Sequence, residues 1–224
     1  MTIEGKKEIT RKEFMKGMGM SLAGVAMAGS VGGLLTACSN ATGGASVDAG
    51  GESRETPQWP FKYVKLDPEK VEKAGYEGYK EGGCCYGVIN AFLSALSDEV
   101  GYPFNQIPAD AFRGGGTGYG QGALCGSLGS AAACIGMVCD GDQQKELIAE
   151  LYNWYKTHPF PQYQPAGMDL ITTEAKSVLC IDSVGKFMEA QGVGMADPER
   201  KERCAAVTAE VARKMVEILN EKLV

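Results

Sequence analysis

The chain has 224 residues, with 22 Lys and Arg against 28 Asp and Glu, and a formal net charge of −6. This acidic balance argues against a nucleic-acid partner, because phosphates are bound by clustered basic side chains. A hydrophobic fraction of 44% and a charged fraction of 22% exclude a wholly disordered chain, and the length suits one domain. Eight cysteines accompany one histidine, which excludes a histidine-rich metal site and a haem held by two histidines of the chain.

Residues 1–37 predict an export signal. Basic residues crowd positions 1–16, and an uncharged tract rich in glycine and alanine follows from 17 to 37. A positive start, a short apolar middle and small residues before a cleavage site are typical of a signal peptide, whereas a transmembrane anchor needs about 20 strongly apolar residues. Residues 10–16 resemble the twin-arginine export motif, with Lys12 in place of the second arginine.

A lipid anchor is predicted directly after this signal. Leu35-Thr36-Ala37-Cys38 resembles a bacterial lipobox, in which the cysteine receives lipid and becomes the mature N-terminus. Residues 38–58 then hold the lipidated cysteine and a flexible linker of small and charged residues, and the folded domain spans 59–224. We therefore expect an exported protein that is anchored through lipid on the extracytoplasmic side of a bacterial membrane.

The domain is predicted to be all-α, with five or six helices. Asp67-Pro68-Glu69 and Asp197-Pro198-Glu199 each supply a capping aspartate, a proline at the first helical position and a carboxylate in the first turn. The first predicts a helix to about Lys80 and the second a long helix to about Lys222. In the long helix, apolar residues at spacings of three and four form one face: Cys204, Val207, Val211, Met215 and Ile218.

Four further helices are predicted between these two, over residues 84–96, 122–138, 142–156 and 173–190. The stretch 157–167 contains three prolines and is predicted to be a crossing loop. The helix over 122–138 is crowded with Gly, Ala and Ser, which lets backbones approach closely. It therefore offers a face for pairing between subunits, and a homodimer is one expectation.

The cysteine spacing excludes several kinds of site. With Cys38 in the lipid anchor, seven cysteines remain, so a domain held only by disulfides would leave one thiol unpaired. The sequence has no Cys-x-x-Cys, which excludes a thioredoxin-type motif, a zinc ribbon and the Cys-x-x-Cys-His attachment of haem. Cys134 and Cys139 are predicted to be packing residues, the role of Cys85 is left open, and His158 is predicted to lie in a loop.

A glycine-rich stretch, residues 113–122, leads into Cys125. It fits neither G-x-G-x-x-G nor the P-loop, so a nucleotide site is disfavoured. We predict a loop of close approach whose backbone N–H groups face something bulky or anionic. Cys125 is then expected in the first turn of a helix, as Cys84 is after Gly82-Gly83, and a helix N-terminus favours a thiolate.

These residues together resemble a known family. Gly83-Cys84, Gly118-x-Gly120, the run from Cys125 to Gly129, and the isolated Cys180 and Cys204 resemble the redox-active family named for its C…GCAxxG…C…C pattern. Gly126 stands where the pattern has alanine, and Leu124 where it has the preceding glycine. Residues 82–86 and 203–208 resemble the split-Soret cytochrome c branch, and the resemblance covers about residues 70–222.

The resemblance implies a scaffold with a thiol centre but without covalent haem, since the haem-attachment motif is missing. The implied centre is an iron–sulfur cluster or a dithiol/disulfide pair, and its residues are Cys84, Cys125, Cys180 and Cys204. The backbone expected around it belongs to Gly118, Gly120, Gly126 and Gly129. Twin-arginine export favours the cluster, because that route carries proteins already folded around a cofactor.

Electron transfer is expected rather than catalysis, because no acid–base pair and no nucleophile–base set is visible in the sequence. An unidentified redox partner protein would then exchange electrons with the centre. Two alternatives stay open. One is a non-enzymatic binding or scaffold lipoprotein whose cysteines form structural disulfides, and the other is a subunit that completes a site in a larger complex.

Overall fold

The computed structural model describes residues 56–224, together with two short strands before them. These are β1 (Ser46–Val47) and β2 (Ser53–Arg54), which pair in antiparallel fashion. The predicted signal peptide and Cys38 lie outside the described residues. The predicted linker is described only in these two strands and from residue 56 onward.

The described residues form five α-helices and a second pair of two-residue strands. The helices are α1 (Pro68–Glu99), α2 (Gly126–Val138), α3 (Gly141–Thr157), α4 (Cys180–Gln191) and α5 (Pro198–Leu223). The strands β3 (Pro159–Phe160) and β4 (Thr173–Glu174) pair in antiparallel fashion. Strand β3 lies within the predicted crossing loop, residues 157–167, and β4 follows that loop. The all-α prediction is confirmed.

Helix α1 is folded back on itself at Gly83. The backbone there takes φ 83° and ψ −176°, which breaks the helix into residues 68–82 and 84–99. A Cβ on Gly78 would lie 2.9 Å from the Cα of Gly87, whereas residues nine apart in a straight helix are separated by about 13 Å. The two predicted helices of this region are therefore present, joined by a single residue in a conformation that favours glycine.

The core lies mainly between α1 and α5, with α2 and α3 packed beside them. Phe92 and Leu96 of α1 and Val211 and Met215 of α5 are fully buried. The predicted apolar face of α5 is confirmed for Val207, Val211, Met215 and Ile218, all of which are buried. Cys204 departs from that face, since it is only partly buried and borders a cavity.

The two Asp-Pro-Glu helix starts use their aspartates differently. Asp67 caps α1 as predicted, because Oδ1 accepts hydrogen bonds from the backbone N–H of Glu69 at 3.0 Å and of Lys70 at 3.4 Å. Asp197 also precedes its helix, but its Oδ2 accepts from the backbone N–H of Gly194 at 2.7 Å. Its carboxylate therefore fixes the preceding turn and does not cap α5.

Two helices begin later than predicted. Helix α2 begins at Gly126 instead of 122, and α4 begins at Cys180 instead of 173. In both cases some of the missing residues pair with another segment: residues 173–174 form β4, and Leu124 forms an isolated antiparallel bridge with Leu179. The prediction was wrong there because pairing with residues distant in sequence overrides local helix preference.

The small residues of α2 are used inside the chain. Ala131 is fully buried, and a Cβ on Gly136 would lie 2.5 Å from the side-chain nitrogen of Gln144 in α3. The close approach that the sequence indicated is thus made within one copy, and the homodimer stays a prediction. Over the described residues, no helix is both long enough and apolar enough to cross a membrane.

Candidate functional site

Three of the four predicted site cysteines stand at helix N-termini. Cys84 follows the break at Gly83, Cys125 immediately precedes α2, and Cys180 is the first residue of α4. The fourth, Cys204, lies in the second turn of α5. The helix N-termini at Cys84 and Cys125 were expected from the sequence, whereas the one at Cys180 was not.

A short antiparallel pairing holds Cys125 and Cys180 side by side. The backbone N–H of Cys125 donates to Val178 O at 2.9 Å, and the N–H of Cys180 donates to Ala123 O at 2.6 Å. Leu124 and Leu179 form the bridge between these two bonds. Two helices that are distant in sequence therefore begin next to each other, and each begins at a cysteine.

Cys84, Cys180 and Cys204 border one cavity of about 90 Å³. Cys125 lies beside it, because a Cβ on the adjacent Gly126 would be 2.6 Å from Cys84 Sγ. The remaining lining residues are Tyr79, Gly83, Gly116, Thr117, Val184, Met195 and Arg200. The structure thus brings all four cysteines of the family pattern to one place.

The four predicted backbone glycines differ in their surroundings. A Cβ on Gly118 would lie 2.9 Å from the Cβ of Cys180, and one on Gly126 would lie 2.4 Å from Gly115 O, so neither position leaves room for a side chain. Gly129 lies against the hydroxyl of Tyr119. Gly120 is exposed, with nothing within 4 Å of a Cβ. Gly118 and Gly126 lie against site cysteines, and the backbone N–H of Gly129 donates to Cys125 O at 2.9 Å.

The glycine-rich stretch covers one side of the cavity, and the backbone of Thr117 hydrogen-bonds to the Cys84 thiol. The stretch consists of a 3-10 segment (Ala109–Gly115) and a π-helical turn (Gly118–Gly122). Arg113 ties the segment to the α1 break, since Nη1 donates to Glu81 O at 2.7 Å. A loop of close approach with backbone donors is therefore present as predicted.

The thiols of Cys84 and Cys180 are held in the protonated form. Burial raises the pKa of Cys84, and the negative charge that Cys125 and Cys204 would carry raises it further, while the bond to Thr117 lowers it. Burial, followed by Cys125 and Cys204, raises the pKa of Cys180 to about 11. For Cys84, the expectation that a helix N-terminus would favour the thiolate is wrong, because burial and crowded sulfurs outweigh the helix dipole.

Two arginines one and four residues before Cys204 supply positive charge. Arg200 borders the cavity, where its Nε donates to Met195 O at 2.7 Å and Nη1 reaches the Tyr79 hydroxyl at 3.4 Å. Arg203 is fully buried, and its Nε has no hydrogen-bond partner. Sequence reasoning missed these residues and Tyr79, although the positions of the arginines on the helix that carries Cys204 were a usable signal.

The other cysteines lie outside the cavity. Cys134 and Cys139 are buried in the hydrophobic core, as predicted. Cys85, which the sequence left open, is buried with its Sγ 2.5 Å from where a Cβ on Gly115 would lie. All seven cysteines of the described residues are free thiols.

His158 is also distant from this cavity. It borders a larger cavity of about 350 Å³ that contains no cysteine and is lined mainly by charged residues. Its Nε2 is 2.7 Å from Glu210 Oε2, and its ring stacks on Trp154 at 4.6 Å. The one histidine of the chain thus has a structural hydrogen-bond partner, and the cysteine cavity offers sulfur donors.

The donor set suits an iron centre with several thiolate ligands. Three cysteines border the cavity and Cys125 lies beside it, and Arg203, whose charge acts on Cys180, is buried with an unpartnered Nε. Among the described residues, no three His, Cys, Asp or Glu side chains converge closely enough to hold a single metal ion. Thiolates are the usual ligands of iron–sulfur clusters, so these cysteines are the donor type that such a group takes.

Comparison with known proteins identifies the family. The family described as "Putative redox-active protein (C_GCAxxG_C_C)" matches residues 84–218. The chain is 30% identical to the split-Soret cytochrome c of Desulfovibrio desulfuricans over 226 residues, which cover 96% of this chain and 79% of that protein.

A solved structure is also similar. It is that of a novel iron centre in the split-Soret cytochrome c from Desulfovibrio desulfuricans ATCC 27774, with a TM-score of 0.70 and 31% identity. The match covers 73% of this chain and 72% of that one. Four cysteines gathered at one cavity, on a fold shared with this relative, carry the pattern for which the family is named, and the chain belongs to the C_GCAxxG_C_C family of redox-active proteins.

Proposed function

We propose that this protein is an exported electron-transfer protein whose Cys84, Cys125, Cys180 and Cys204 hold an iron–sulfur cluster. The observation that carries the proposal is that three of these cysteines, from α1, α4 and α5, border one small cavity, and Cys125, which immediately precedes α2, lies beside it. Membership of a redox-active family supports a redox role. The iron centre of the similar solved structure supports iron as the metal.

Two of the cavity's thiols are protonated at neutral pH, and this supports a metal-bound form over a dithiol that attacks as a free thiolate. The pKa values of Cys84 and Cys180 are raised by burial and by the neighbouring thiols of Cys125 and Cys204. In the absence of a cation, both thiols are therefore poor nucleophiles at neutral pH. Bound iron reverses this balance, because a metal ion deprotonates the thiols that ligate it.

The chain's own groups position and insulate the centre. The break at Gly83 brings Cys84 to the cavity, the paired segments at 123–125 and 178–180 fix two more cysteines, and Thr117 supplies a backbone hydrogen bond to sulfur. The centre would accept one electron from a reduced partner protein and pass it to an oxidised one. No covalent bond of the chain forms or breaks in this exchange.

The location belongs to the proposal as well. Cys38 and the signal-like residues before it support export followed by lipid anchoring on the extracytoplasmic side of a bacterial membrane. In such a place the folded domain, attached through residues 38–58, would meet redox partners near the membrane surface. Labelling with a radioactive fatty acid, compared between the wild type and Cys38→Ala, tests the anchor.

Anaerobic purification followed by absorption spectroscopy and by iron and sulfide assays tests the cluster. We expect a coloured protein with iron and acid-labile sulfide, both lost in Cys84→Ser, Cys125→Ser, Cys180→Ser and Cys204→Ser. Cys139→Ala, which changes a buried cysteine outside the cavity, is the matched control and should retain both. A colourless wild type without iron would overturn the proposal, and iron without sulfide would replace the cluster by a simpler iron site.

A further inference from the structure

Arg203 is a buried cation without a carboxylate partner. Its side chain is 1% exposed, and its guanidinium lies 5.9 Å and 5.8 Å from the ring centroids of Phe160 and Phe187. Nη2 donates to Ser183 Oγ at 2.8 Å, while Nε has no hydrogen-bond partner. The ion pairs found across the described part of the chain do not include Arg203.

Such a cation is costly unless a negative charge lies nearby. A guanidinium does not lose its proton in a protein, so burial cannot be relieved by neutralisation. Water is excluded, and two aromatic rings offset only part of the lost hydration. The compensating charge must therefore come from groups close to Arg203 that become anionic in the functional state.

The groups that connect to Arg203 lead to the cysteine cavity. Ser183 Oγ, which accepts from Arg203, also receives a hydrogen bond from the Tyr155 hydroxyl at 2.9 Å, and Tyr155 lies near enough to Cys125 to interact with it electrostatically. Arg203 directly precedes Cys204 in α5, and its charge also acts on Cys180. One buried positive charge thus acts on Cys180 and adjoins Cys204 in the chain, and Ser183 and Tyr155 link it to the neighbourhood of Cys125.

We propose that Arg203 is the built-in counter-cation of the four-cysteine centre, and that its charge stabilises the bound centre and raises its reduction potential. This inference rests on the proposed function. Four thiolates give an iron–sulfur centre a net negative charge, and one-electron reduction by a chemical titrant adds another unit while no bond of the protein changes. A fixed buried cation therefore stabilises the reduced form more than the oxidised form.

Neutral and charged replacements of Arg203 test the inference. Arg203→Met removes the charge and keeps an apolar chain, Arg203→Lys keeps the charge, and Lys201→Met is the control, since it removes a charge from the exposed side of the same helix. The measurements are the midpoint potential of the anaerobically purified full chain, by dithionite titration, and the rise in Tm that iron loading produces.

For Arg203→Met we expect a lower midpoint potential and a smaller iron-induced rise in Tm, and for Lys201→Met values close to the wild type. Arg203→Lys should lie near the wild type in potential. If Arg203→Met does not fold, Arg203→Gln keeps donors for Ser183 without the charge and should show the same shifts. A wild-type potential and a wild-type rise in Tm in the neutral variant would overturn the inference alone, whereas a wild type without iron would overturn the proposed function as well.

Discussion

Helix α5 buries two charged side chains two turns apart, and their surroundings differ sharply. Glu210, 5% exposed, has a full set of partners: Oε2 meets His158 Nε2 at 2.7 Å, and Oε1 accepts from the backbone N–H of Gln162 at 2.8 Å and of Tyr163 at 3.1 Å. Arg203 has one hydrogen bond, to Ser183, and no carboxylate. The full set of partners around Glu210 indicates a structural role, whereas Arg203 lacks an anionic partner, which is what its proposed role as a counter-cation requires.

The largest expected effect tests the structural role of Glu210. Glu210→Leu removes a buried carboxylate that accepts from two backbone N–H groups and contacts His158, so we expect the free energy of unfolding to fall by about 3 kcal/mol. Urea denaturation measures this loss. Glu217→Leu, which removes a half-exposed carboxylate from the same helix, should cost about 0.5 kcal/mol.

The same variant also separates the two regions. Iron binding at the cysteine cavity should survive Glu210→Leu wherever the protein remains folded, because neither His158 nor Glu210 borders that cavity. A cost below about 1 kcal/mol would show that Glu210 is not the structural counterpart of Arg203. Loss of iron from the folded variant would show that the two regions are coupled.

A second prediction concerns the crowded backbone at the cavity. Gly126→Ala would place a Cβ 2.4 Å from Gly115 O and 2.6 Å from Cys84 Sγ, so we expect a loss of about 2 kcal/mol in the free energy of unfolding and a lower iron content. Thermal denaturation and the iron assay measure the two effects. Gly114→Ala, whose Cβ would meet nothing within 4 Å, should leave both unchanged.

A third prediction is a pH dependence of the free energy of unfolding that comes from Cys180 at the cysteine cavity. Because folding raises the pKa of Cys180 to about 11, the neutral thiol stabilises the iron-free fold below the unfolded pKa of about 8.5. That contribution is lost as pH rises from there through about 11. The free energy of unfolding of the iron-free protein should fall over this range, and less steeply in Cys180→Ala. Equal slopes for the two proteins would contradict the assignment.

The smallest expected effect concerns the link between the two parts of the site. Tyr155→Phe removes the hydroxyl that joins Ser183 to the neighbourhood of Cys125, and we expect a loss of about 1 kcal/mol in the free energy of unfolding. The iron content should be retained, since Tyr155 supplies no ligand. Tyr152→Phe changes a nearby, partly buried tyrosine and should have a smaller effect in the same denaturation measurement.

The features that were predicted correctly are those that depend on residues close together in the sequence. The helix beginning at Asp67 and the apolar face of α5 follow from capping residues and from the helical period. The late beginnings of α2 and α4 depend on a pairing between residues about 55 positions apart, which no local pattern contains. The same limit applies to Arg203: an arginine in an amphipathic helix is expected at the surface, and Phe160 and Phe187, both distant in sequence, bury it.

The site could likewise be predicted only in part, because some of its properties depend on contacts between residues distant in sequence. The family pattern named the four cysteines that the fold brings together, but it did not show that Cys84 resists ionisation, because that depends on burial and on the other sulfurs. Gly118 and Gly126 proved to be positions of close approach, while Gly120 is open to solvent. Spacing alone does not separate a glycine that makes room for sulfur from one that only turns the chain.

The bridge between Leu124 and Leu179 has a further consequence for how this protein tolerates change. The pairing closes the chain between Cys125 and Cys180 into a loop whose two ends are fixed to each other. Lengthening a closed loop costs little free energy as long as its ends stay joined. The exposed turn around Gly167 could therefore accept inserted residues, such as a peptide tag or a docking element for a partner, without changing the separation of the sulfurs.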